Sequence, residues 1–421
     1  MGSKQIIAVN FKGLEVGKIG YDEHKKVSSF QYNPAFLDSE KYLNLFPYLF
    51  KRTKHVQVFS NYEGETFRGL PPMIADSLPD VFGNIVFKEW LEFSHKEIGQ
   101  ISPLEQLTYV ANRGMGALEY LPAKELLPQH SINIKEITEV VKKVLDFKIA
   151  VHEKNLSDVA LLNIFKIGTS AGGARPKILI SEHKLTGQII PGDIEFSSDY
   201  QHYLIKLCVD DESNYSKEAV EFVYYQLATS LGIEMMPSKL IDKKHFATLR
   251  FDRVNGEKRH VLTASGMTGW DFKKANNSSY ENLFKLAVDL KLSHQELQQL
   301  FKRMVFNVVF ANIDDHLKNF SFLYDDDKDR WHLAPAYDLT YPLDPMKNYL
   351  RTSRALSVNG KRNDISKNDL LQIAELFTIK QSQKIITEIS NAKSLFEKYA
   401  MALDIPEIVI RKIEKEFCTF K

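Results

Sequence analysis

A chain of 421 residues is longer than one hydrophobic core organises, so two or three packed units are expected. Hydrophobic residues at 44% and charged residues at 26% describe an ordinary globular protein, not a disordered one. Lys+Arg 55 against Asp+Glu 54 leaves a net charge of +1, which gives no electrostatic case for gripping nucleic acid directly. The two cysteines, Cys208 and Cys418, exclude a disulfide framework and a cysteine zinc site, and they fit a reducing compartment. The N-terminal Met-Gly-Ser-Lys-Gln carries no apolar signal core. No segment approaches the roughly 18 apolar residues of a membrane span, so a soluble cytoplasmic protein with no membrane association is expected.

In chain order, residues 6–9 and 56–59 read as short strands among glycine and proline breaks. Residues 67–79 are apolar with proline punctuation and read as packed loop and short helix. A helix is expected near 85–93, then a Gly-rich bend at 113–116, and residues 134–147 repeat Ile, Val and Leu at helical spacing. Beyond residue 158 the pattern changes. Residues 178–180 and 203–208 look like buried strands, and Ser216 is a plausible N-cap for a helix whose apolar stripe runs Val220, Val223, Leu227, Leu231 and stops at Gly232. Residues 246–251 form another short strand. Helices dominate after that: one over 280–292, and one opened by the capping box Ser293-His-Gln-Glu296. Two β-runs, 320–324 and 331–333, flank the acidic run Asp325–Asp327, which is read as a solvated hairpin turn. Ser366 and Thr378 are expected to open the last helices.

The chemistry concentrates in Asn312-Ile-Asp-Asp-His-Leu-Lys-Asn319 and Pro335-Ala-Tyr-Asp-Leu339. Phosphoryl transfer to a hydroxyl needs an Asp to orient the hydroxyl proton, and an Asn and an Asp to hold magnesium on the phosphates. Asp314, Asn319 five residues on, and Asp338 beyond a hairpin supply that order, with Asn319 and Asp338 as the metal ligands. Periodicity does not separate Asp314 from Asp315 as the catalytic group, though the five-residue step favours Asp314. His316 is open to reading as a metal ligand or base, or, preferably, as a residue packed within the loop. Lys318 is either a phosphate-neutralising cation or a solvated lysine.

A second cluster, Gly168-Thr-Ser-Ala-Gly-Gly-Ala-Arg-Pro-Lys177, runs into a strand. Small residues there let backbone N–H groups approach an anion, and Arg175 and Lys177 add charge. It lacks the G-K-[S/T] ending of a Walker A loop and, taken alone, reads equally as a plain strand-connecting turn; upstream of the metal cluster it reads as a phosphate-covering loop contributed by Ser170, Ala171, Gly172, Gly173 and Ala174. Lys206 lies in the apolar run 203–208, where an unpaired ammonium is costly. Glu221, 15 residues later on the amphipathic helix, is the expected partner. The alternative is Lys206 pointing outward from an edge strand.

With these motifs in order, the sequence resembles the HipA family of toxin kinases over nearly its whole length. Gly13-Leu-Glu-Val-Gly17, the Leu-Pro-Pro…Ala-Asp-Ser-Leu-Pro segment and Met115-Gly-Ala-Leu-Glu119 are similar to the family's N-terminal domain. The Gly-rich segment is similar to its phosphate loop, and Asp-Asp-His-Leu-Lys-Asn-Phe-Ser with Ala-Tyr-Asp-Leu to its catalytic and metal motifs. Asp315 stands where some members carry glycine. The resemblance implies ATP and Mg2+ as cofactors, Lys206 as the ATP-contacting lysine, autophosphorylation at Ser170, and Leu249 to Phe251 as the hinge beside the adenine. It also implies a small helix-turn-helix antitoxin as partner, operator DNA reached only through that antitoxin, and an aminoacyl-tRNA synthetase as the suspected protein substrate. The expected architecture is α+β: a protein-kinase-like two-lobed fold with an added N-terminal α/β domain and a helical C-terminal lobe. Its expected divisions are 1–148, 149–262 and 263–421. A catalytically silent module acting with an antitoxin and a small-molecule phosphotransferase are the competing readings. The complete set Lys206, Asp314, Asn319 and Asp338 argues against the first, and the long N-terminal unit against the second.

Overall fold

The computed structural model of the chain describes residues 5–79, 81–93, 101–124, 133–146, 175–192, 197–209, 215–342 and 353–420. The N-terminal unit is built on five antiparallel strands, β1 (Gln5–Phe11), β2 (Leu14–Asp22), β3 (Val27–Tyr32), β4 (Gln57–Phe59) and β5 (Leu118–Leu121), in the order β4-β3-β2-β1-β5. Strand alternation buries Ile7, Val9 and Phe11 and leaves Ile6 at the surface, as one-sided packing of a pleated strand requires. β2 and β3 approach so closely at Gly17 that a Cβ there would lie 2.4 Å from the Gln31 carbonyl oxygen.

A second antiparallel sheet follows: β6 (Lys177–His183), β7 (Ile189–Pro191), β8 (Tyr200–Lys206), β9 (Ser238–Ile241) and β10 (His245–Leu249), in the order β7-β6-β8-β10-β9. Its two faces have different neighbours. Ile178, Ile180, Tyr203, Ile205 and Ala247 share a core with Phe82, Val86, Val141 and Val144 from the helices Val81–Phe93 and Ile134–Leu145. Segments that precede the sheet in sequence thus roof one of its faces. Lys177 and Lys206 are register partners on the opposite face. The helix Lys217–Ser230 lies against β10 on that side and is capped by the Ser216 hydroxyl, which accepts from Ala219 N–H.

From β10 the chain crosses through the short ribbon β11 (Arg253–Val254) and β12 (Glu257–Lys258) to β13 (Val261–Thr263). β13 pairs with β14 (Ser321–Asp325), which pairs with β15 (Arg330–Leu333). Around this small sheet stand the helices Tyr280–Asp289, His294–Val309, Lys367–Leu376, Ser382–Asn391, Lys393–Met401 and Glu407–Glu414. The capping box at Ser293 and Glu296 is formed, and a second closes Ser366 with Asp369. Thr378 does not open a helix. It adopts a left-handed φ of 55°, and the next helix begins after Gln381, because Ile379 is drawn back to hydrogen-bond the Ala374 carbonyl. The acidic hairpin turn is also not merely solvated. Asp326 pairs with Lys12, and the Asp329 carboxylate accepts from Asn44 N–H at 2.8 Å, docking the turn onto the N-terminal unit. Among the described residues no helix is long and apolar enough to cross a membrane.

Candidate active site

Lys206 ends β8, a central strand of the second sheet, with its side chain buried. Its ammonium donates to Glu221 Oε1 at 2.6 Å and also to Asp338 Oδ1. Burial works against that charge, but Asp338 and Glu221 hold the Lys206 pKa above its ordinary value. Partial burial raises the Asp338 carboxyl, yet Lys206, Lys177 and Arg175 outweigh it and hold the group well below the usual carboxylate range. Arg175 Nη1 lies 3.6 Å from Glu221 Oε2, and neither atom has a hydrogen-bond partner among the described residues. Three cations and two carboxylates from four separate chain segments therefore meet at one place. Asp338 adopts φ of 53°, a left-handed conformation that a non-glycine residue holds at some cost and that often marks working sites.

The second part of the site is the loop after the helix His294–Val309. The Asn319 side-chain amide donates to the Asp314 backbone carbonyl at 2.9 Å, and His316 N–H donates to the same carbonyl. Asn312 Nδ2 donates to Asn307 Oδ1 at 3.0 Å and to the Asp338 backbone carbonyl at 3.3 Å, which ties this loop to the segment carrying Asp338. Asp314 and Asp315 part company here. Asp315 is 1% exposed; it accepts from the Tyr280 hydroxyl at 2.7 Å and from Leu356 N–H at 3.2 Å, and lies 3.9 Å from Arg354. Burial raises its pKa, against the pull of Arg354. It is a strut. Asp314 is half-exposed.

His316 packs its ring 4.9 Å from Phe272, and Lys318 Nζ sits 5.5 Å over the same ring. Leu249 ends β10, and the Phe251 ring lies 5.8 Å from Tyr337, the neighbour of Asp338. Ser170, Ala171, Gly172, Gly173 and Ala174 lie outside the described residues. Sequence reasoning missed Arg354, which also donates to the Asn307 carbonyl at 3.0 Å, and Tyr337, whose hydroxyl donates to the Lys318 carbonyl at 2.7 Å. Tyr337 was at hand beside Asp338; nothing local to Arg354 pointed to the loop 40 residues upstream.

The donor set fits magnesium. Asn319 spends its amide nitrogen on Asp314 and keeps Oδ1, and Asp338 adds a carboxylate, so both offered atoms are hard oxygens. Among the described residues no group of three or more His, Cys, Asp or Glu could hold an ion by itself. Such an ion would need its remaining ligands from phosphate and water, as magnesium usually does.

Comparison with known proteins bears on the same residues. The family model of the HipA-like C-terminal domain matches residues 169–397, and that of the HipA N-terminal domain matches residues 7–121. The chain belongs to the HipA family. A HipA chain from the structure of the Shewanella oneidensis toxin–antitoxin system HipA, HipB and its operator DNA complex superposes with a TM-score of 0.63 at 15% identity. That superposition covers 97% of this chain and 95% of the other, so the α+β, two-lobed architecture with an added N-terminal unit is that of HipA. A curated Sinorhizobium fredii protein that bears a kinase name, Y4dM, is 23% identical over 195 residues, covering 42% of this chain. The match spans 46% of that relative's own length.

Proposed function

We propose that this HipA-family chain is an ATP- and magnesium-dependent Ser/Thr protein kinase, the toxin of a HipA/HipB-type pair. The observation that carries the reading is the position of Lys206, which bonds Glu221 and Asp338 at once while Asn312 ties Asp338 to the loop of Asp314 and Asn319. Glu221 holds the Lys206 ammonium where it meets nucleotide phosphates, and Lys177 and Arg175 add positive charge beside it. Asn319 and Asp338 hold the ion. Magnesium neutralises and orients the phosphates, which supplies much of the catalysis in phosphoryl transfer. Asp314 orients the acceptor hydroxyl and takes its proton, since Asp315 is committed to Tyr280 and Leu356. Leu249 and Phe251 lie beside the base. The kinase name borne by the Sinorhizobium relative supports the activity.

The Shewanella complex, with HipB and operator DNA, supports a helix-turn-helix antitoxin partner that carries the DNA contact. Resemblance extends the reading to an aminoacyl-tRNA synthetase as protein substrate and to Ser170 as the site of autophosphorylation. The deciding experiment incubates the protein with labelled ATP and magnesium and maps phosphate by mass spectrometry. Phosphate on Ser170, absent in Asp314→Asn, is the expected result. A wild-type protein that binds an antitoxin but transfers no phosphate to itself or to a synthetase would instead be the silent module.

A further inference from the structure

Among the described residues the chain passes once from the sheet that carries Lys206 to the small sheet that leads to Asp338, through residues 250–260. The geometry of that crossing is one of the links that set where Lys206 stands relative to Asp314, Asn319 and Asp338, beside the Ala336 N–H bond to the Glu234 carbonyl. At its start lie three charged residues, Arg250, Asp252 and Arg253, which are 7%, 4% and 5% exposed. Asp252 Oδ1 accepts from Arg250 Nε at 2.9 Å, and Oδ2 accepts from Arg250 Nη2 at 2.8 Å and Arg253 Nη1 at 2.9 Å. Oδ2 also accepts from the backbone N–H of Gly116, in the N-terminal unit, at 2.9 Å. Arg253 returns the contact, donating to the Gly116 carbonyl at 2.9 Å and the Gly114 carbonyl at 2.8 Å. Lys258, further along the crossing, reaches the Asn112 carbonyl and Glu119.

The N-terminal side of the clasp is equally constrained. Gly116 has φ of 77°, and a Cβ there would come within 3.0 Å of Val261 N, the first residue of β13. Only glycine lets this loop lie on the crossing and aim its N–H at Asp252. The upstream end is held too, because Arg250 N–H donates to the His202 carbonyl of β8, the strand of Lys206. One carboxylate thus joins the sheet that carries Lys206, through Arg250, to the crossing and the N-terminal unit.

We propose that Asp252 is a positioning residue for phosphoryl transfer, and that the Gly114–Gly116 loop of the N-terminal unit sets the lobe geometry through it. The inference rests on the kinase reading above. Asp252 touches neither nucleotide nor acceptor; it fixes the spacing between Lys206 on one sheet and the metal-holding residues on the other. Loosening the clasp weakens ATP–magnesium binding by letting the two halves of the site drift apart, while the chemical groups stay intact.

The test compares Asp252→Asn and Gly116→Ala in the full-length protein, the second leaving every kinase side chain untouched. Both variants should raise KM for ATP about tenfold with kcat within about twofold of wild type. Loss of folded protein alone would lower apparent kcat and leave KM unchanged, and that outcome in both variants overturns the proposal. A raised KM in Asp252→Asn but not in Gly116→Ala overturns the role of the N-terminal unit. Should Asp252→Asn fail to fold, Arg253→Lys serves in its place, keeping the charge while losing the fork that reaches two carbonyls. If the wild type transfers no phosphate, the kinase reading fails. The clasp is then read from calorimetric ATP–magnesium affinity, where an unchanged dissociation constant, or no binding by the wild type, sinks it.

Discussion

Two buried ionic clusters, both built from arginine, lysine and carboxylate, stand at opposite ends of the β8–β10 strand pair. At Asp252 both carboxylate oxygens are occupied, one of them by three donors, and the group joins three parts of the fold. At Lys206 the count does not close: Glu221 Oε2 and Arg175 Nη1 face each other without a hydrogen bond, and Asp338 is shared. Adjacent Asp314 and Asp315 differ in burial one residue apart, with Asp315 buried against Tyr280 and Leu356 and Asp314 partly exposed. A saturated carboxylate is a strut, because changing its partners costs what its bonds are worth. An unsaturated one keeps capacity for a ligand.

The sharpest way to break this comparison is to exchange the roles of the two adjacent aspartates. Asp314→Asn should lower phosphate transfer about a hundred- to ten-thousandfold with an unchanged thermal midpoint, read from autophosphorylation rates and melting curves. Asp315→Ala should do the opposite, costing about 3–5 kcal/mol of stability because it leaves the buried Arg354 without its carboxylate and the Tyr280 hydroxyl proton without an acceptor. Urea denaturation measures it, and an Asp315→Ala protein as stable as wild type would end the strut reading. Asp338→Asn should remove the magnesium dependence of ATP binding, so that calorimetric titrations with and without the ion become alike.

Acid separates the clusters more gently. Despite burial, Arg250 and Arg253 hold Asp252 well below the ordinary carboxylate value of 3.8. A folded pKa lowered in this way adds stability above the unfolded value and loses it as pH falls. Wild type should therefore lose melting temperature more steeply below about pH 4 than Asp252→Asn does. The smallest expected effect is a control remote from both clusters. Ser366→Ala breaks the capping box with Asp369 and should cost about 1 kcal/mol in denaturant titration, with no change in KM.

Much of this was legible in the sequence, and the limits have physical causes. The strand runs, the Ser216 cap and the Ser293 box are local patterns, and the structure carries them within a residue or two. Lys206 and Glu221 could be paired in advance because a lysine in an apolar strand needs a carboxylate, and a helix 15 residues later supplies one. Asp314 and Asp315 could not be told apart, since their difference lies in Tyr280, Arg354 and Leu356, all distant in sequence. The Asp252 clasp was missed for a related reason. The strand pattern of residues 246–251 carries no mark of the clasp, though Arg250-Phe-Asp-Arg253 at a strand end is a sign of charges needing buried partners. Thr378 failed as a helix start because it closes the preceding helix instead: it takes a left-handed φ while Ile379 N–H bonds back to the Ala374 carbonyl five residues earlier.

The docking of the hairpin turn carries a consequence for the order in which the molecule comes into being. Lys12 reaches Asp326 across 314 positions, and Asn44 reaches Asp329 across 285. A ribosome adding about 5–20 residues per second needs roughly 15–60 s to cover that span. During that interval the first strands have left the ribosome without the surface they bind. Asp338 is made later still, so the emerging chain spends most of its synthesis without a finished active site. A partner that recognises the waiting N-terminal unit would reach the protein before it could act on anything.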